Sequence, residues 1–282
     1  MKDNHGRAMA KKEYISSLKL LELKYNVFAD NKLNQYKDWW KQYGKEFREQ
    51  KVVVDGKNCH LLQREYADNS QLSKYNCKRD SIPYIEITPL YREAKDGLLF
   101  VNCNPSGTDY PYYQKHNGAS PTDFFYYDRP DNTYFNAVVE FADGVGGKGF
   151  GNFAMIDVFP IVIQNQAVLK KTFGDATGDL KKAFDKLIEF FLDSILQIKP
   201  KVVIVTNAFV KDLFVNKFNG MIRVKHDEKN VCYYIGIKNF ETTVFCGGMI
   251  AGGHQMDTES KKRLIRDVNL FMKSSIGCRK KL

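Results

Sequence analysis

A chain of 282 residues can form one large domain or two small ones, and 43% hydrophobic against 27% charged residues excludes a disordered or fibrous protein. The net charge of +10 suits either a polyanionic partner or a merely solvated basic surface, and clustering of the charge is what would separate the two. Six dispersed cysteines with no CxxC pair exclude a zinc ribbon and an obvious iron–sulfur ligand set; reduced thiols and a cytoplasmic setting are expected, with no membrane span.

In chain order, Ile15, Leu18, Leu21, Leu23 and Tyr25 predict a helix from about Glu13 to Phe28, and Tyr36, Trp39, Trp40, Tyr43 and Phe47 a second from Leu33 to Glu49. The tryptophans read as core anchors. Val52–Val54, the Asp55-Gly56 turn and Cys59–Gln63 predict a β-hairpin. Residues 64–81 are polar and loop-like, and Tyr84–Thr88, bracketed by prolines, predicts a short edge strand. Leu98–Val101 predicts a buried strand, followed by a loop and a helix near Thr133–Ala142. The glycine-rich turn 144–149 lacks the phosphate-loop pattern and reads as a connection. Phe153–Phe159 predicts a second buried strand, residues 161–178 read as irregular, and Asp179–Ile198 predicts a long amphipathic helix stopped by Pro200. Val202–Val205 predicts a third apolar strand, Ala208–Phe218 a helix, and Cys232–Ile237 and Thr243–Phe245 two more strands. A last helix, Thr258–Ser274, opens after Asp257 as N-cap and buries Leu264, Ile265, Val268, Phe271 and Met272.

From Leu98 onward, apolar strands alternate with helices. This predicts a three-layer α/β/α sandwich (91–282) with a mostly parallel central sheet covered on both faces. Residues 1–90 then form an N-terminal extension, two helices and a hairpin, packed on that core.

Chemistry is expected at the strand ends. In LLFVNCNPSG (98–107), Pro105 and Gly107 force a turn at the strand's carboxyl end, where open α/β sheets bind ligands. Asn104 is thus an amide at the rim of a pocket, or else part of an ordinary Asx-Pro turn. Asp157 sits inside FAMIDVFP, where a carboxylate is costly to bury unless it caps the next loop or meets a ligand. Gly247-Gly248 and Gly252-Gly253 allow a close backbone approach, or make an awkward connection; His254 beside them is a site imidazole or a surface one. Cys103 and Cys246 flank this region with no adjacent base, which favours buried structural cysteines.

Taken together, these segments resemble the uracil-DNA glycosylase superfamily. Its first motif, G-x-N-P-G or G-Q-D-P-Y, follows the first core strand, as LLFVNCNPSG does here with Asn104-Pro105. Its second, usually H-P-S-P, follows the last core strand, where TVFCGGMIAGGHQMD (243–257) stands; FAMIDVFP and KPKVVIVTNAF (199–209) look like the second and third core strands. The resemblance implies that Asn104 orients the attacking water and that the backbone at Cys103 contacts the base. Pro105, Ser106, Phe159, Gly247 and Gly248 would complete the base-binding set.

Two departures follow. The family's second strand usually ends in an Asn that both donates to and accepts from uracil; Asp157 stands there, and an ionised carboxylate only accepts, which argues against plain uracil. Cys246-Gly247-Gly248-Met249 replaces His-Pro-Ser-Pro, so His254 would have to reach back to the leaving base. Met249 and Ile250 fall where the family inserts an apolar wedge into the duplex, with simple packing as the alternative. Tyr110, Tyr112, Tyr113, Phe124 and Phe125 are candidates for stacking on an extruded base. Lys261, Lys262, Arg263 and Arg266 are candidates for phosphate contacts, with Lys170-Lys171 and Lys181-Lys182 as candidate extensions of the patch. The expectation is hydrolysis of a base–sugar bond in DNA, without metal or organic cofactor. Its rivals are a non-catalytic nucleic-acid-binding protein that kept the fold, and a hydrolase of free nucleosides.

Overall fold

The computed structural model describes residues 34–62, 97–104, 133–145, 153–161, 163, 166–218, 220–250 and 256–274. The helix expected at Glu13–Phe28, the polar stretch 64–81 and the edge strand Tyr84–Thr88 lie outside them.

The strands are β1 (Lys51–Val54), β2 (Lys57–His60), β3 (Leu98–Asn102), β4 (Phe153–Asp157), β5 (Val202–Val205), β6 (Arg223–Asp227), β7 (Cys232–Ile237) and β8 (Phe240–Cys246). The helices are α1 (34–49), α2 (Thr133–Gly144), α3 (Gln166–Asp175), α4 (Gly178–Ile198), α5 (Ala208–Asp212), which runs into a π-helical turn at Leu213–Lys217, and α6 (Thr258–Ser274). β1 and β2 pair alone. The others form one six-stranded sheet in the order β4-β3-β5-β8-β7-β6. β4, β3, β5 and β8 are mutually parallel, while β8-β7-β6 is an antiparallel meander.

The apolar runs of β3, β4 and β5 are continuous because helices cover both faces. Leu99, Val101, Ala154, Ile156, Val203 and Val205 share one core with α1, α3, α4 and α5. Their neighbours Leu98, Phe100, Phe153, Met155, Val202 and Ile204 share another with α2 and α6. The result is a mixed α/β protein with helical layers on both sides of a mostly parallel sheet.

The described part of the N-terminal region belongs to the first of these cores. Trp39 donates its indole N–H to the Ala183 carbonyl in α4 at 2.9 Å, Phe47 meets Phe184 at 5.0 Å between ring centroids, and Tyr36 meets Phe190 at 5.6 Å. The β1–β2 turn places Asp55 (φ 51°) and Gly56 (φ 73°) in the left-handed region, as a two-residue hairpin with right-handed strand twist requires.

The structure adds two elements to those expected and confirms one boundary. Residues 161–178 are not irregular throughout: α3 occupies 166–175, held by the short stripe Val168, Leu169 and Thr172. α4 ends at Ile198, as expected, two residues before Pro200. Lys199, at φ 51°, turns left-handed and donates its N–H to the Ile195 carbonyl at 2.8 Å. β6 was not anticipated: it is a charged edge strand of alternating partial burial, RVKHD, with too little apolar content to read as a strand.

Strand order fixes where a ligand can approach. β3 connects through α2 to β4 on one side, whereas β5 leads onward to β8 on the other. The order therefore reverses between β3 and β5, and the crevice lies outside their carboxyl ends.

Candidate active site

At that edge the backbone continues the ladder past β3 and β4. Val158 N–H donates to the Asn102 carbonyl at 3.1 Å and Phe159 N–H to the Cys103 carbonyl at 2.9 Å. Asn104 then donates its Nδ2 to the Ile163 carbonyl at 2.8 Å. This bond fixes the amide plane, with Nδ2 toward the loop after β4 and Oδ1 on the opposite side. Asp157 closes β4 in register with Asn102 and is only 9% exposed. Asn104 and Asp157 therefore end neighbouring strands at one edge of the sheet.

β5 contributes Thr206, 4% exposed. Its N–H donates to the Val101 carbonyl at 3.3 Å, and its hydroxyl lies 3.1 Å from Asn102 Oδ1 and 3.4 Å from the Val101 carbonyl. A hydroxyl has one proton, and the shorter partner is the Asn102 oxygen. Asn207 caps α5 by accepting from Phe209 N–H (2.9 Å) and Val210 N–H (3.3 Å), and donates Nδ2 to Gln166 Oε1 at 2.9 Å, tying the starts of α3 and α5 together.

The negative charge of Asp157 is felt by two buried groups. Burial first, and Asp157 second, push the Tyr36 hydroxyl and the Cys103 thiol well above their ordinary ranges. Tyr36, from α1, thus brings a group that keeps its proton at neutral pH to the neighbourhood of the carboxylate. Cys246 is pushed up to about 11 by burial, with Lys211 pulling weakly the other way. Cys103 is buried and Cys246 half-buried, and the shifts of both thiols disfavour the thiolate.

Several expected site residues have other work. Gly247 donates its N–H to the Val205 carbonyl at 2.9 Å, and a Cβ there would meet Leu264 Cδ2 and Met256 Cε at 2.8 Å. The glycine accommodates the start of α6, so its openness is already filled by the chain itself. Gly248 is exposed and faces Met256 Cβ at 3.4 Å. Met249 is half-buried and accepts from Met256 N–H at 2.8 Å. Ile250 is 2% exposed and belongs to the core under α2 and α6. It is not an external wedge; the packing alternative holds for it. Phe159 is likewise fully buried, in an aromatic cluster with Phe173, Phe184 and Phe209, and does not present a face for stacking. Pro105, Ser106 and His254, with Tyr110, Tyr112, Tyr113, Phe124 and Phe125, lie outside the described residues.

The basic residues of α6 carry local partners. Lys261, its side chain 20% exposed, pairs with Glu140 at 3.3 Å; Lys262 pairs with Glu259 at 2.8 Å and Arg266 with Asp267 at 3.2 Å, while Arg263 donates to the Ser260 hydroxyl at 3.1 Å. Lys170, Lys171, Lys181 and Lys182 pair with Asp212, Asp175, Asp185 and Asp179. Exposed pairs of this kind contribute little, about 0–1 kcal/mol, and a phosphate could displace them. They do not, however, form a single-sign patch. Asp257 caps α6 as expected, accepting from Ser260 N–H at 2.9 Å.

Sequence reading missed Asn102, Thr206 and Tyr36. For Asn102 a signal was present: it stands where the G-x-N-P-G motif has its first glycine, so a side chain enters the site there. Thr206 and Tyr36 carried no local signal, because only the sheet order and the docking of α1 bring them to this edge. Among the described residues no group of three or more His, Cys, Asp or Glu could hold a metal ion, and no helix is long and apolar enough to cross a membrane. No protein-family model matches the chain, and a search of curated proteins finds no relative.

Proposed function

We propose that this protein is a glycosylase-like hydrolase that cleaves the bond between a nucleobase and its sugar, with a nucleotide of DNA as substrate, on a domain of the uracil-DNA glycosylase type. The observation that carries the proposal is the placement of Asp157, the register partner of Asn102, and of Asn104, two residues past that pair, at the carboxyl ends of paired strands beside the topological switch point. The Asn104 amide is held by its Nδ2 bond to the Ile163 carbonyl and its Oδ1 is buried; in this reading that oxygen accepts from the attacking water, and the buried Asp157 carboxylate accepts from the base.

In this scheme the water oxygen forms a bond to the anomeric carbon as the carbon–nitrogen bond breaks. The bonding pair leaves with the base nitrogen, and the water's proton passes to the departing base or to solvent. Orientation of the water is the enzyme's principal contribution here, with His254 assigned to the negative charge on the leaving base.

A panel of single- and double-stranded oligonucleotides, each carrying one test base, assayed for release of free base, tests the proposal. Release from at least one substrate is expected; DNA binding without any release would remove the enzymatic claim and leave the nucleic-acid binder. A second reading, hydrolysis of the same bond in a free nucleoside, is favoured by the burial of Ile250 and the ion-paired cations of α6. Turnover of nucleosides with no affinity for DNA would select it.

A further inference from the structure

We infer that the outer edge of β6 is a docking site for another polypeptide, an extended segment in which one acidic residue stands between two apolar ones and which adds to the sheet as a further strand. This is independent of the hydrolase reading above and concerns the end of the sheet opposite β4.

The six-stranded sheet ends in β4 on one side and in β6 on the other. β6 pairs with β7 along one edge, from Arg223 opposite Gly236 to Asp227 opposite Cys232, and among the described residues no strand pairs with its other edge. Every second residue of such a strand turns its N–H and C=O outward, a row that an added strand can satisfy.

Side chains decide which strand fits. Arg223, Lys225 and Asp227 share one face of β6, opposite Gly236, Tyr234 and Cys232, while Val224 and His226 share the other. On the first face Arg223 lies across Gly236, where a Cβ would stand 3.2 Å from its Nε, and bonds Glu241 two strands away at 2.6 Å. Both oxygens of Asp227 are taken. Oδ1 accepts from Lys229 N–H (3.0 Å) and Asn230 N–H (3.1 Å), Oδ2 from Asn230 Nδ2 (2.8 Å) and the Tyr234 hydroxyl (3.1 Å). Lys225, between them, is exposed and has no ion-pair partner among the described residues. On the second face Val224 is half-buried against the core, and the His226 ring leans on Tyr233 with 4.7 Å between centroids. A strand laid along this edge thus meets an uncommitted cation on one face and, to either side of it on the other, apolar or aromatic surface. An acid opposite Lys225, flanked by apolar residues opposite Val224 and His226, is the complement.

The same lysine disfavours other occupants. Antiparallel pairing of β6 with a second copy, centred on Lys225, sets two ammonium groups opposite each other. Centred on His226, it sets Lys225 opposite an Asp227 whose oxygens are already engaged. A nucleic acid offers phosphates to Lys225 but no ladder of donors for the outward carbonyls, and Asp227, Glu228 and Glu241 interrupt the positive charge along this end of the sheet.

The test uses the full-length protein and a fluorescein-labelled peptide with a valine–glutamate–valine core between threonines, read by fluorescence anisotropy and by amide hydrogen exchange. The same peptide with lysine for glutamate is the comparison. Saturable binding of the glutamate peptide is expected, about 10-fold tighter than the lysine peptide, with slowed exchange confined to 223–227. Lys225→Glu should reverse the preference, weakening the glutamate peptide by about 10-fold and strengthening the lysine peptide. Its thermal midpoint should be unchanged, because this side chain has no ion pair to lose. No saturable binding, equal affinity for the two peptides, or slowed exchange outside β6 would overturn the inference. So would concentration-dependent self-association that protects β6 in the protein alone, which makes a second copy the occupant, or displacement of the peptide by an oligothymidylate, which makes it a nucleic acid.

Discussion

Gly247 offers a direct test of whether the turn after β8 is shaped by a ligand or by the last helix. A Cβ at this position would stand 2.8 Å from both Leu264 Cδ2 and Met256 Cε, against about 3.5–4.0 Å for a favourable carbon–carbon contact. Both atoms end flexible side chains, and the nearest backbone atom, the Val205 carbonyl oxygen, is 4.0 Å away. Gly247→Ala is therefore an overpacking that α6 can absorb by moving two side-chain ends, at the low end of the roughly 1–3 kcal/mol such changes cost. A drop of about 2–4 °C in the midpoint of thermal unfolding is expected. Gly248→Ala meets only an ordinary contact, Met256 Cβ at 3.4 Å, and should fall within about 0.5 kcal/mol of wild type. Met256→Ala added to Gly247→Ala should recover part of the loss attributable to the clash, a coupling read from the double-mutant cycle. An unchanged midpoint for Gly247→Ala, or additive effects in the cycle, would refute the packing assignment.

Two further predictions concern stability. Trp39→Ala removes an indole 2% exposed, its bond to the Ala183 carbonyl and its contact with Phe47; a loss of about 3–5 kcal/mol is expected. A midpoint within 2 °C of wild type would mean that α1 is peripheral (a shift of that size is only about 1 kcal/mol). Burial raises Cys232 to about 11, with Asp227 adding to it. An acid whose pKa is raised in the fold keeps a proton that the unfolded chain releases first. Stability should therefore hold below about pH 9, the ordinary thiol value, and fall as pH rises from there toward about 11. Thermal midpoints measured from pH 7.5 to 10.5 should show a shallower alkaline decline for Cys232→Ala, and an equal offset at every pH would contradict the assignment.

The parts of the fold that were legible in sequence are those whose burial is uniform. β3, β4 and β5 are apolar at every position that meets a helical layer, and α4 carries buried residues at close helical spacing along its length. α3 was not legible because its buried stripe is only Val168, Leu169 and Thr172, and β6 because a partly exposed edge strand needs no apolar pattern. At the site, Asn104 and Asp157 could be found because each interrupts an apolar strand or follows it directly. Ile250 misled because an apolar residue in a glycine-rich turn reads alike whether it faces solvent or, as here, the core. Among the α6 cations, Lys261 has a partner that its own helix could not reveal, Glu140 of α2.

The central claim is that the Asn104 amide positions the water that breaks the base–sugar bond. Single-turnover release of base from the best substrate, measured for wild type and Asn104→Ala together with substrate affinity, tests it most directly. The account predicts a fall in the release rate of about 10²–10³-fold, the scale on which a catalytic positioning group acts, with substrate binding within a few-fold of wild type. Equal release rates, or a loss confined to binding, would contradict it.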